Sequence, residues 1–295
     1  MDEVLQQVVN AVSVGAVYAL VALGLALVYS VLGLINFAHG ELMTIGAYAF
    51  VFTAMAGVPI FLGVPFAIAA SASSAVVMER IAFRPVRGAG PTTLLLTSVA
   101  VSVMLQTAFQ MVISPLPRGA QLPDVLYQAV HLGPVQLSVL PLVSAVTAIL
   151  GSGIVVTALR KSDIGISIRA AAEDFTVTRL LGVPAQQVVQ WTFLMSGAVA
   201  GLAGVIWMAQ RGSVDPLMGA IPLLKAFVAA VLGGLGSVPG AILGGFTLGA
   251  GEILLQAFLP TALLPFRDGI VFALVIAVLT VRPRGLMPAR LGERV

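Results

Sequence analysis

Asn36, His39 and Glu41 stand within six residues of one another, in a stretch that is otherwise apolar. An amide, an imidazole and a carboxylate so close together are polar groups that could line a translocation pathway. Left unpaired at membrane depth, such groups are expensive, so they need partners or water. The stretch Gly33-Leu-Ile-Asn-Phe-Ala-His-Gly-Glu41 therefore reads in two ways. It is a broken helix lining a pathway, or a short turn at the level of the headgroups. Glu252, inside another apolar run, is either a pathway group or a buried hydrogen-bond partner. Lys225, near the start of its run, reads as a side chain snorkelling to the interface. The adjacent Arg267 and Asp268 read as an interfacial anchor.

Other chemistry is missing from the sequence. It has no Cys, which removes thiolate metal sites and Cys nucleophiles. Its two His residues, His39 and His131, are far apart, and no His-Glu-x-x-His or Gly-x-Ser-x-Gly occurs. No Gly-x-x-x-x-Gly-Lys-[Ser/Thr] occurs either, so a Walker-type ATP site is not expected. The expectation is no catalytic residue, no metal and no cofactor.

The elements that position these residues are membrane helices. Of 295 residues, 59% are hydrophobic and 9% are charged. Soluble domains carry about 25% charged residues. Apolar runs long enough for a bilayer, roughly 20 residues for ~30 Å of hydrocarbon, recur along the chain. They are Val8–Tyr29, Gly40–Ala56, Ile60–Met78, Thr92–Ser114, Ser138–Leu159, Val188–Ala209, Ala220–Leu235, Gly240–Leu259 and Phe266–Val281. The fold class is all-α: a polytopic transmembrane bundle of eight or nine helices, some broken or re-entrant, in one membrane domain over residues 1–295. The second, seventh and last runs are short or rich in Gly and Pro. Val12–Tyr29 and Met195–Gln210 share a Gly/Ala/Val-rich texture, which composition alone could produce, so no internal repeat is claimed.

Lys and Arg bias sets orientation. Eleven of the fifteen basic residues fall in Arg80–Arg87, Arg160–Arg179 and the tail Arg282–Arg294, which should face the cytoplasm. Even numbers of helices separate these segments. Counting back places the N-terminus outside, unless the second run is re-entrant. Asp2 and Glu3 at the start do not resemble a cleaved signal peptide. The charge of +3 is thus a topological signal rather than a nucleic-acid surface.

Two further segments carry readings. In Gly233–Gly249, Gly236, Gly240 and Gly244 are spaced by four, as are Gly245 and Gly249. That spacing suits close helix packing, or a flexible half-helix beside a pore. Pro239 should break regular helix there, and Gly240→Leu should harm assembly more than Ala241→Leu. The long inner loop Arg160–Gln187 holds one expected helix, Arg169–Leu181, stopped by Gly182 and Pro184. It either lies on its own protein or fits a partner's groove. In the second case Phe175, Leu180 and Leu181 are apolar anchors and Arg169, Glu173 and Arg179 are rim charges.

These segments together resemble the permease family of high-affinity branched-chain amino-acid ABC importers, specifically the subunit usually called the H permease. The resemblance rests on Ile35-Asn-Phe-Ala-His-Gly-Glu41 with Gly46-Ala-Tyr48, and on Ile168-Arg-Ala-Ala-Ala-Glu-Asp174 leading to Leu181-Gly-Val183 and Ser196–Gly204. Val231-Leu-Gly-Gly-Leu-Gly-Ser237 with Gly240 and Gly244-Gly245 completes it. It implies a second homologous permease subunit, two cytoplasmic ATPase subunits and a periplasmic or extracellular substrate-binding protein as partners, with membrane lipid around them and no nucleic acid. It also implies a multi-pass location in the bacterial inner membrane and a coupling contact in the inner loop. The substrate expected is a branched-chain or related neutral amino acid. A lone secondary transporter driven by an ion gradient is the alternative. It would need ionisable groups at mid-membrane, for which Glu41, Glu252 and His39 are the candidates.

Overall fold

The computed structural model describes residues 2–132 and 135–287. All nine apolar runs form helices: α1 (Asp2–Leu32), α2 (His39–Met55), α3 (Ile60–Met78), α4 (Pro91–Val112), α5 (Val139–Lys161), α8 (Ala185–Arg211), α9 (Ala220–Gly233), α10 (Val238–Phe258) and α11 (Arg267–Val281). Two short helices, α6 (Asp163–Glu173) and α7 (Phe175–Leu180), lie between α5 and α8. Among the described residues, seven segments are long and apolar enough to cross a membrane; α2 and α9 are shorter, at 17 and 14 residues. The chain is a polytopic helical membrane protein. Its strands are short: β1 (Arg118–Gly119), β2 (Ala129–Leu132), β3 (Val135–Ser138) and β4 (Ser213–Val214), paired β1 with β4 and β2 with β3.

The three basic segments gather at one end of the bundle. Arg87, after α3, reaches Gln186 at the start of α8. Arg160 and Arg169 share a cavity of about 350 Å³ with Leu27 and Ser30 of α1 and with Gly236–Pro239. Leu286 and Met287 donate backbone hydrogen bonds to Leu232 and Gly233. Arg290 and Arg294 of the tail lie outside the described residues.

Helix α1 is the central post, buried along almost its whole length and packed by α10, α8, α5 and α9. The remaining contacts reveal an inverted repeat. Helices α1–α4 correspond to α8–α11 with opposite direction through the bundle. α1 packs on α10 as α8 packs on α3, α2 packs on α3 as α9 packs on α10, and α4 and α11 each lie outermost. The Val12–Tyr29 and Met195–Gln210 stretches, alike in texture, occupy corresponding helices α1 and α8. In each half the second helix is short and preceded by a break. Residues 33–38 break the first half, where Gly33 takes a φ of +64° that ends α1. Residues 212–219 break the second.

The Gly-rich segment is split: Gly233 ends α9, Gly234 and Gly236 take positive φ in the turn that follows, and the rest forms the regular helix α10. Pro239 sits in the first turn of α10, where its missing N–H costs nothing, and so it starts the helix rather than breaking it. The glycines serve two faces. A Cβ on Gly240 would meet Gly233 O at 2.5 Å, at the end of α9, while Gly245 and Gly249 lie against Ala19 and Gly15 of α1. Ala241 is itself fully buried, so it is no neutral comparison for Gly240.

The inner loop holds two helices where one was expected. Asp174 leaves helical geometry at φ −150° and its Oδ1 accepts the Val177 N–H at 2.8 Å. A short carboxylate that caps a new helix competes with continuing the old one. Gly182, at φ +86°, closes α7.

Candidate functional site

The first break is built from its own backbone. Asn36 Oδ1 accepts the Ala38 N–H at 3.0 Å, and His39 donates its N–H to Asn36 O at 3.2 Å. The turn so made reverses the chain and starts α2. The depth of that turn follows from its neighbours. His39 packs against Gly24, eight residues before the end of α1, and its Nδ1 lies 3.2 Å from Ser196 Oγ, eleven residues into α8. At ~1.5 Å per residue, α2 therefore begins more than 10 Å inside the basic end. His39 is fully buried between α1 and α8.

α9 begins at the same depth. A Cβ on Gly40 would lie 2.7 Å from Gly219 O. The first turns of the two half-helices thus touch backbone to backbone, with no side chain between them, and Phe37 and Phe227 pack alongside at 6.1 Å between centroids. Each half-helix presents a positive dipole end near the middle of the bundle. Leu217, Ala220 and Ile221, around the start of α9, are exposed, so the junction reaches the protein surface there.

Glu41, in the first turn of α2, turns to α4. Its Oε1 accepts from Ser102 Oγ at 3.0 Å and Gln106 Nε2 at 2.8 Å. Ser98, one turn earlier on α4, accepts the Phe37 N–H at 3.2 Å. Ser98, Ser102 and Gln106 thus form a polar stripe, spaced by four, that serves the break. Sequence reading missed this stripe, although its i, i+4, i+8 spacing was visible inside an apolar run. Among the described residues, Asn36 Nδ2, His39 Nε2 and Glu41 Oε2 are buried without a hydrogen-bond partner.

Glu252 lies elsewhere, on the α1–α9–α10–α11 side. Lys225 Nζ is 2.6 Å from Glu252 Oε1 and 3.5 Å from Asp268 Oδ1; Arg267 reaches Glu252 at 2.9 Å, and Tyr18 donates its hydroxyl to Glu252 Oε2 at 2.9 Å. Lys225 is 7% exposed. It is therefore not a snorkelling side chain, and Arg267 and Asp268 are more than an anchor. The pairing of a charge on a half-helix with charges on two neighbouring helices was not readable from one-dimensional spacing. A second pair at the basic end joins the buried Glu79 to the partly exposed Arg87.

Of the inner-loop residues, Arg169, Glu173, Arg179, Leu180, Leu181 and Gly182 are exposed, Leu180 and Leu181 at 79% and 78%. Phe175 packs against the core instead. The residues named from sequence thus fall in three places: Asn36, His39 and Glu41 at the break, Glu252 in the ion cluster, and the loop residues at the basic end.

The chain matches the family model described as branched-chain amino acid transport system / permease component over residues 7–279. It is 36% identical to the high-affinity branched-chain amino acid transport system permease protein BraD of Pseudomonas aeruginosa, covering 96% of this chain and 95% of that one. It is 35% identical to the permease protein LivH of the same kind of system in Escherichia coli, with the same coverage. A probable branched-chain amino acid transport permease protein LivH of Methanocaldococcus jannaschii is 26% identical over 90% of this chain and 87% of its own. The chain belongs to the branched-chain amino acid transport system permease family, as a multi-pass protein of the bacterial inner membrane.

Proposed function

We propose that this chain is the H-type permease subunit of an ATP-binding-cassette importer that carries branched-chain or related neutral amino acids inward. The observation that carries the reading is the meeting of two half-helices in mid-bundle, at corresponding positions of an inverted repeat, beside buried polar groups. Transporters place solute sites at such breaks because unwound backbone and helix ends supply polar contacts that regular membrane helices lack. Asn36, His39 and Glu41 are assigned to the pathway region, and the Glu252 cluster fixes α9 beside it. The exposed apolar face of α7 supports docking of ATPase subunits at the basic end, taken as cytoplasmic. A second permease, two ATPase subunits and an external binding protein complete the system.

The test is uptake into proteoliposomes holding the complete complex with its binding protein. Radiolabelled leucine should enter only with ATP inside the ATPase compartment and binding protein on the opposite side. Accumulation driven by a proton or sodium gradient without ATP would instead establish the ion-coupled alternative.

A further inference from the structure

Among the three orphaned groups at the break before α2, Asn36 Nδ2 and Glu41 Oε2 are of opposite character. Asn36 Nδ2 is a donor without an acceptor, and Glu41 Oε2 is an acceptor without a donor. Each residue is 1% exposed. Buried polar atoms are seldom left unmatched, because the desolvation cost is not recovered. The partners they do have fix where the free atoms lie. Asn36 Oδ1 is held by the Ala38 N–H, so Nδ2, on the same carbon, sits at the N-terminus of α2. Glu41 Oε1 is held by Ser102 and Gln106, so Oε2 is the carboxylate oxygen left without a donor in the same first turn.

From this arrangement we propose that the start of α2 recognises the zwitterionic head of an α-amino acid. The substrate carboxylate is received by Asn36 Nδ2 and the N-terminal end of α2, and its ammonium by Glu41 Oε2. This rests on the amino-acid import reading and deepens it.

The electrostatics fit both charges. A helix N-terminus favours an anion. A carboxylate with one oxygen already held by two donors is a fixed acceptor for an ammonium, and charge-assisted bonds of this kind are the strong ones. A lone anion would meet the repulsion of Glu41, and a lone cation the positive helix end. Only a solute bearing both charged groups on one carbon satisfies both. The side chain would lie toward Phe37 and Phe227 and the exposed apolar residues Leu217 and Ile221 at the start of α9. His39 Nδ1 is engaged with Ser196, and its Nε2, though orphaned, faces Gly24 of α1, so the imidazole is not assigned to this recognition.

Photo-leucine, a diazirine analogue that keeps the amino-acid head, tests the assignment on the complete permease–ATPase complex. Labelled peptides should map to residues 33–44, 95–109 or 215–224. Excess L-leucine should abolish the labelling, whereas 4-methylpentanoate, which lacks the ammonium, and 3-methylbutylamine, which lacks the carboxylate, should compete at least about tenfold less well. Glu41→Gln and Asn36→Asp should each lower labelling by about tenfold or more, with Glu41→Asp keeping a larger share. The size-exclusion profile of each variant complex should match that of the wild type, so that lost labelling reports recognition rather than folding. Labelling outside these peptides, equal competition by the two half-analogues, or undiminished labelling in both variants overturns the proposal while leaving leucine import standing. Absence of leucine uptake by the wild-type complex in proteoliposomes overturns the import reading, and the proposal with it.

Discussion

Lys225 on α9 and Glu252 on α10 form an ion pair of 2.6 Å inside the bundle, and both are nearly buried. Arg267 and Asp268 close the cluster, so two cations face two carboxylates, and Tyr18 adds a hydroxyl donor from α1. Four helices, the shorter half-helix α9 among them, therefore meet on one neutral network.

That balance predicts an asymmetry between single and double substitutions. Removing one member of a buried pair leaves an uncompensated charge, which costs roughly 3–5 kcal/mol, whereas removing both is often close to neutral. Lys225→Met should sharply lower the folded yield in detergent. Lys225→Met with Glu252→Gln should restore most of it, because Arg267 and Asp268 still pair with each other at 3.0 Å. Fluorescence-detected size exclusion measures both. A double variant as poor as the single would show that the network does more than neutralise itself.

The cluster also marks the limit of what the sequence conveyed. The nine apolar runs gave the helices within a few residues, because membrane length and hydropathy leave little choice. Asn36, His39 and Glu41 stood out because polarity inside an apolar run is conspicuous. The partners of these groups did not. Ser98, Ser102 and Gln106 come from α4, and Lys225 meets Glu252 only after α9 and α10 fold together. The inverted repeat was likewise hidden, since direction through the bundle, not residue identity, relates its halves. The split of the inner-loop helix turned on one capping carboxylate, Asp174.

The glycines of α10 make a second prediction. Gly245 and Gly249 touch the backbone of α1 at Ala19 and Gly15, while Gly251 on the same helix has open space where a Cβ would go. Gly245→Leu should abolish stable assembly, since two backbones in contact cannot part without losing the packing of the central helix. Gly251→Leu should fold at close to wild-type yield. Comparable losses in both would mean that helix propensity or insertion, rather than the α1–α10 contact, governs assembly.

Orientation can be read with thiol reagents, given that the native chain has no Cys. The gathering of Arg87, Arg160, Arg169 and Arg284 at one end predicts that Arg84→Cys, Arg169→Cys and Arg284→Cys resist a membrane-impermeant maleimide added outside intact cells. Each should react once the membrane is permeabilised. Rapid labelling of Arg169→Cys in intact cells would invert the map.

The last prediction concerns how ATP hydrolysis reaches this chain. The proposed ATPase subunits are separate, so the energy must arrive through contact at the basic end. There α7 offers Val177, Leu180 and Leu181, exposed at 49%, 79% and 78%, on a short helix held by the Asp174 cap and ended at Gly182. Exposed apolar side chains on a fixed element suit the centre of an interface, and the exposed charges of Arg169, Glu173 and Arg179 suit its rim. Phe175 packs inward, so Phe175→Ala would mix a folding defect with any docking defect. Leu180→Ala with Leu181→Ala avoids that confusion, because neither side chain supports the core. The double variant should insert and fold normally, yet retain several-fold less ATPase subunit in a pull-down and lose uptake in proportion. Arg179→Glu should weaken association less, and more at low salt than at high, because a rim charge is screened. Raising the concentration of ATPase subunits should restore uptake by Leu180→Ala/Leu181→Ala if docking alone is impaired. Full association with normal uptake in that variant would move the coupling contact to the Arg80–Gly90 loop or to the basic tail.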